Sequence, residues 1–209
     1  MCWSSSVSLA TFVLAILGVL YLFYRDAPND RWMALFGGTV AMIQIAEYFM
    51  WLDQSCGTIN NMASMFALLV VALEPLMGMI GGLNFSSQPN PNFLRIMLLS
   101  YIVFIAYVYF NHVHNQKIKW CGINNCYIDP NDGCNLYWKF TENIPTKIAI
   151  IWILFLMLPL LTMTPRYQGI ILFLTGLITL VLSRTVHNAA AGSLWCWYAI
   201  GIIYIKILI

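Results

Sequence analysis

The chain has 209 residues, 61% of them hydrophobic and only 9% charged, with a formal net charge of +2. Soluble domains carry about a quarter charged residues, so a soluble fold is excluded. So small a positive balance, scattered along the chain, also argues against nucleic acid as a partner.

Seven apolar runs of about 17–22 residues fill the sequence, close to the ~20 residues a helix needs to cross a ~30 Å hydrocarbon core. They predict helices over 5–24, 32–52, 61–82, 93–112, 147–164, 168–187 and 193–209. No basic stretch precedes the first run, which reads as a retained helix and not as a cleaved signal. RDAPNDR, DQSCGTIN and NFSSQPNPN break the next runs with Pro, Asn, Asp and Ser, residues that favour turns. TPRYQ and NAAAG are tight breaks further on, and residues 113–146 form the one long loop. Aromatic residues gather at run ends, as in Tyr21–Tyr24 and Tyr48–Trp51, where interfacial belts form. The expected fold is all-α: a single polytopic domain over 1–209, a seven-transmembrane-helix bundle integral to a lipid bilayer.

Basic residues in short loops set the expected orientation. Arg25, Arg31, Arg95 and Arg166 flank the first, third and fifth breaks, and the second break has none. The positive-inside rule then puts the N-terminus outside or in a lumen and the C-terminus in the cytosol. Lys117, Lys119, Lys139 and Lys147 of the long loop vote the other way, and so does the glycosylation sequon at Asn84. Cys2, Cys56, Cys121, Cys126 and Cys134 all fall on the non-cytosolic face in this layout, with Cys196 at its edge. Disulfides persist in such compartments. At least one is expected among Cys56, Cys121, Cys126 and Cys134, which allow three connectivities. Cys121, Cys126 and Cys134 are spaced too widely for the usual short zinc-ligand pairs. No metal and no cofactor is expected.

Two acids lie inside the runs, and an ionisable group at mid-bilayer costs on the order of 3 kcal/mol. Glu47 is five residues from the outer end of its helix, roughly 8 Å deep, and shares a face with Gln44 and Trp51. Glu74 is about thirteen residues into the next helix, roughly 20 Å deep. Asn61, Ser64, Leu68, Val71 and Glu74 are expected on one face. Glu74 precedes Pro75, so it serves either a function or the carbonyls freed by the proline. The difference in depth makes the two acids a poor acid/base pair, because hydrolytic carboxylates stand about 5–9.5 Å apart.

Thr175, Thr179, Ser183 and His187 step by four along the sixth helix as a polar stripe, with Arg184 beside it. Glu47, His112, Arg184 and His187 all fall in the outer third, together with Asn61, Ser64, Trp195 and Trp197. The convergence reads either as a small-molecule or ion site or as a rim of snorkelling and belt residues. Glu47 and His187 are expected to meet across the second and sixth helices. A retinal-binding bundle would need a lysine midway along its last helix, whereas Lys206 lies near the end and reads as a cytosolic anchor. An intramembrane zinc hydrolase would need at least three converging histidines. His112 and His114 are two apart and cannot face one site from one helix.

The segments IAEYFMWLDQSCGTIN (45–60), LEP (73–75) and GSLWCWYA (192–199) resemble signatures of small uncharacterised seven-transmembrane-helix proteins encoded by large DNA viruses of algae and protists. The match covers about a third of the chain, on helices two, three and seven. The resemblance places Glu47, Trp51, Cys56, Asn60, Glu74, Pro75, Trp195 and Cys196 at motif positions and implies a virion or host internal membrane. It implies no activity. With polar groups at two depths, the expected function is a proton-coupled small-molecule or ion transporter, a channel or a receptor-like binder with an outward-facing polar cavity. The alternatives are an intramembrane lipid-modifying hydrolase and a structural membrane protein of a virion or organelle.

Overall fold

The computed structural model describes residues 4–86, 91–114, 118–124, 135–186 and 191–209. Seven α-helices dominate them: α1 (Ser5–Arg25), α2 (Asp30–Leu52), α3 (Thr58–Phe85), α4 (Pro91–Val108), α5 (Thr146–Met157), α6 (Arg166–Val186) and α7 (Ala191–Leu208). The apolar runs and the turn-forming breaks account for their bounds within a few residues. α1, α2, α3, α6 and α4 with its continuation to Val113 are long and apolar enough to cross a membrane; α5 and α7 are shorter apolar helices.

Local chemistry explains the ends. The Ser4 hydroxyl accepts the Val7 N–H at 3.3 Å and starts α1. The last turn of α4 loosens into a π-turn over Tyr109–Val113. α5 does not run on to 164 as one α-helix. Pro159 has no N–H to donate, and Leu158–Thr162 tightens into a 3-10 turn.

α2 is the centre of the bundle, with Trp32, Met33, Val40, Ala41, Ile43 and Met50 buried along it. Small residues let its neighbours approach, as in membrane-type helix packing. A Cβ at Gly37 of α2 would stand 2.8 Å from Ile203 of α7, and one at Gly81 of α3 2.6 Å from the Trp32 ring. A second, smaller cluster joins Met79 of α3 to Leu94, Met97 and Tyr101 of α4, with Phe155 of α5 against them.

The chain runs back and forth between two ends. Arg25, closing α1, donates to the carbonyls of Lys206 and Ile207 at 3.1 and 2.6 Å, so α1 and α7 run parallel. At the opposite end the long loop is not featureless, a small departure from an all-helical chain. β1 (Gly122–Asn124) pairs antiparallel with β2 (Leu136–Trp138), Gly122 opposite Trp138 and Asn124 opposite Leu136. Leu136, Trp138 and Phe140 are buried in the main core, so this sheet closes one end of the bundle.

Candidate functional site

Between the sheet end and the middle of α3, buried polar groups lie at three levels. Nearest the sheet end, Asn60 of α3 is fully buried and saturated. Its amide donates to the carbonyls of Met50, Asp53 and Gly122 at 3.1, 2.8 and 2.7 Å. Its oxygen accepts the Gly122 N–H at 2.8 Å and the Ser64 hydroxyl at 3.2 Å. Asn60 thus stands in for a strand partner of β1 and ties it to the ends of α2 and α3. Gln54 repeats the device, accepting the Asn124 N–H at 2.7 Å while donating to Met50 O at 2.8 Å.

A disulfide between Cys56 and Cys121, their Cα atoms 5.4 Å apart, fixes the same junction covalently. The expectation of a bridge among the four loop cysteines is met by this pair; Cys126 and Cys134 lie outside the described residues. Asp53 accepts the Ser55 hydroxyl at 2.7 Å and the N–H groups of Gly57 and Asn60 at 3.2 Å each, donors that the start of α3 leaves without helical partners. The Ser55 hydroxyl and these amides hold its carboxyl below the usual carboxylate range.

One level in, Gln44 and Glu47 of α2 are fully buried, and the Gln44 amide donates to Glu47 Oε2 at 3.1 Å. Helical spacing places them on one face, as expected. Ser64 is buried too, and its hydroxyl serves Asn60.

Glu74 occupies the third level, 16 residues into α3, or ~24 Å along its axis. It is fully buried, and neither carboxyl oxygen has a hydrogen-bond partner among the described residues. The Val71 carbonyl, which Pro75 leaves without its helical donor, does not use it. Trp152 of α5 donates its indole N–H to Val71 O at 3.0 Å, and Tyr101 of α4 its hydroxyl to Ala72 O at 2.6 Å. The face expected from Asn61 through Leu68 to Glu74 is rotated in the structure. Asn60, Ala63, Ser64, Ala67, Val70, Glu74 and Gly78 are buried along α3, so of the expected face Ser64 and Glu74 are inside, while Asn61, Leu68 and Val71 are half-buried at its edge.

The remaining expected residues are dispersed. The hydroxyls of the α6 stripe turn back on their own helix: Thr175 to Ile171 O, Thr179 to Gly176 O and Ser183 to Leu180 O, at 2.8, 3.0 and 2.8 Å. Such back-bonding satisfies the hydroxyl without a ligand. Arg184 is exposed, and half-buried His112 sits in the π-turn against the Tyr107 ring. Trp195 is buried, stacks edge-on to Trp152 at 5.8 Å and donates to Gly176 O at 3.3 Å. His187 and the Trp197 side chain lie outside the described residues, so the Glu47–His187 pair does too.

Lys206 is not an interfacial anchor. It is buried, with its ammonium 2.7 Å from Asp30 Oδ1, and Arg25 grips the same carboxylate through Nε at 2.7 Å and Nη2 at 2.9 Å. This triad ties together α1, α2 and α7 at the end opposite the sheet. In the sequence Asp30 looked like a turn residue, and only the meeting of helix ends far apart in the chain identifies Lys206 as its second partner.

Among the described residues no three His, Cys, Asp or Glu side chains gather as a metal-binding group. Compared with protein-family models, curated proteins and solved structures, the chain matches none.

The arrangement offers two acids on adjacent helices at different depths. The Gln44–Glu47 pair lies about 8 Å from the sheet end of α2, and Glu74 near the middle of α3. That separation is too large for the two to act together on one bond.

Proposed function

We propose that the chain is a seven-span membrane protein, N-terminus outside or luminal and C-terminus cytosolic, that works as a proton-coupled transporter of a small molecule or ion. What supports the reading is the burial of Glu47 and Glu74 at two depths of an otherwise apolar bundle. Intramembrane acids are costly and mark ion and proton pathways. Transport needs polar stations at more than one depth; a surface receptor or an enzyme at the rim needs only one. Gln44 and Glu47 form the outer station, reached from the side of the β1–β2 sheet, and Glu74 forms the midplane station. A closed outer mouth accounts for the sheet lying on α2 and α7. Opening would lift the β1–β2 pair while the Cys56–Cys121 bridge keeps it tethered.

The test uses purified protein in sealed vesicles containing a pH-reporting dye. An imposed inside-negative potential is expected to acidify the lumen of wild-type vesicles, and Glu47→Gln is expected to slow this at least tenfold. Wild-type vesicles as tight to protons as protein-free ones, with or without an outward gradient of a metabolite mixture, would overturn the transport reading.

A further inference from the structure

The surroundings of Glu74 name its occupant. A carboxylate inside a bundle needs a cation or several N–H and O–H donors. α2 packs on the Glu74 face of α3, with Phe36 against Gly78 and Trp32 against Gly81, so Glu74 falls at the level of Val40. α2 carries no ionisable side chain between Arg31 and Glu47, and the Thr39 hydroxyl donates to Leu35 O at 3.0 Å.

From α4 the charged or titratable groups are Arg95, Tyr101 and Tyr107. Arg95 is exposed and borders Leu94, the residue against Gly82, two turns from Glu74. The Tyr101 hydroxyl is within electrostatic reach of Glu74 but is bound to Ala72 O. α5 offers Lys147, exposed in its first turn, and no other ionisable group; the Trp152 indole N–H is bound to Val71 O. The 3-10 turn after α5 has no ionisable side chain. No cation and no uncommitted donor therefore faces Glu74 among the described residues. A hard metal ion would require about six oxygen ligands, and the apolar α2 surface at this level supplies none.

We propose that Glu74 is a proton-binding site, its carboxyl resting protonated at the centre of α3 and serving as the proton carrier of the bundle. The carrier role rests on the transport reading above; the bound proton does not. The carboxyl stands beside the Pro75 break, where Trp152 of α5 binds the freed Val71 carbonyl and Tyr101 of α4 binds the neighbouring Ala72 carbonyl. Movement of those helices can therefore change which side of the membrane Glu74 meets.

The test is reaction of the folded, detergent-solubilised protein with dicyclohexylcarbodiimide, which partitions into apolar interiors and adds to protonated carboxyls. The whole reagent is retained: the carboxyl oxygen bonds to the carbodiimide carbon and the acid proton moves to nitrogen. Peptide mass spectrometry should place one adduct on Glu74 at neutral pH, and Glu74→Gln should lose it. The infrared band of a protonated carboxyl in wild-type protein, shifted by deuterium exchange, is the second readout and does not depend on recovery of Glu74→Gln. No adduct on Glu74 and no protonated-carboxyl band, or an adduct on Glu47 alone, would overturn the proposal. Adduct without proton flux would leave the site standing and reject the transporter; flux without adduct or band would do the reverse.

Discussion

Trp152 donates its indole N–H to the carbonyl of Val71, the acceptor that Pro75 leaves without a helical donor. Two helices remote in sequence are thus joined through a backbone defect that one proline creates. Trp152→Phe keeps an aromatic ring against Trp195 but strands a buried carbonyl, at a cost of about 1–3 kcal/mol. Pro75→Ala restores the missing N–H, so the same substitution should cost clearly less in that background. Thermal unfolding of the four proteins in detergent measures the difference, and equal costs in both backgrounds would refute the pairing.

Asn60 and the Cys56–Cys121 bridge hold one junction by independent means. Asn60→Ala removes all the side-chain bonds to Met50, Asp53, Gly122 and Ser64 and should destabilise the sheet by about 3 kcal/mol. Reduction of the bridge, which closes a 65-residue separation, should cost ~2–4 kcal/mol. Faster trypsin cleavage at Lys119 and Lys139 reports both, and the two treatments together should release the sheet from α2. Free thiols at Cys56 and Cys121 in protein purified without reductant would contradict the junction.

The Arg25–Asp30–Lys206 triad responds unequally to loss of its members. Asp30→Asn leaves two cations facing each other and is expected to cost about 3–5 kcal/mol. Lys206→Met leaves the bidentate Arg25–Asp30 pair intact and fills the vacated space with an apolar stem. Its cost should be small, and a gain in stability is consistent with the usual balance for buried ions. Unfolding midpoints that fall equally for both variants would show that Lys206 matters to this end as much as Asp30 and would refute the unequal response.

Asp53 gives the sheet end a pH dependence of known sign. Hydrogen bonds from Ser55, Asn60 and Gly57 lower its folded value. The stabilisation is therefore fully present above the unfolded value of about 3.9 and is lost as the pH falls through the lower folded value. Amide exchange at the start of α3 should speed up in that acid window, and Asp53→Asn should flatten the response. An unchanged acid response in the variant would place the titrating group elsewhere.

Helix positions were legible because apolar run length and the Pro, Asn and Ser breaks act locally. The burial of Gln44, Glu47 and Glu74 was legible for the same reason: an acid inside an apolar run has nowhere else to go. Rotational phase was harder to read, since adjacent Asn60 and Asn61 differ only in which one meets Gly122. The α6 hydroxyl stripe looked like a site because spacing cannot distinguish a hydroxyl aimed at a ligand from one aimed at its own helix. Lys206 was misread because its counter-ion, Asp30, lies at the other end of the chain. The strands around Gly122 and Leu136 are three residues each, too short for a period-two pattern to stand out.

The seven-span arrangement proposed above would put the β1–β2 sheet and Glu47 on one side of a bilayer and the ion triad on the other. Epitope tags at the two chain ends, digested by protease in sealed microsomes of known orientation, test this most directly. The N-terminal tag should survive until detergent is added, and the C-terminal tag should be cut at once. Both tags on the same face would mean an even number of spans and would contradict the seven-span arrangement.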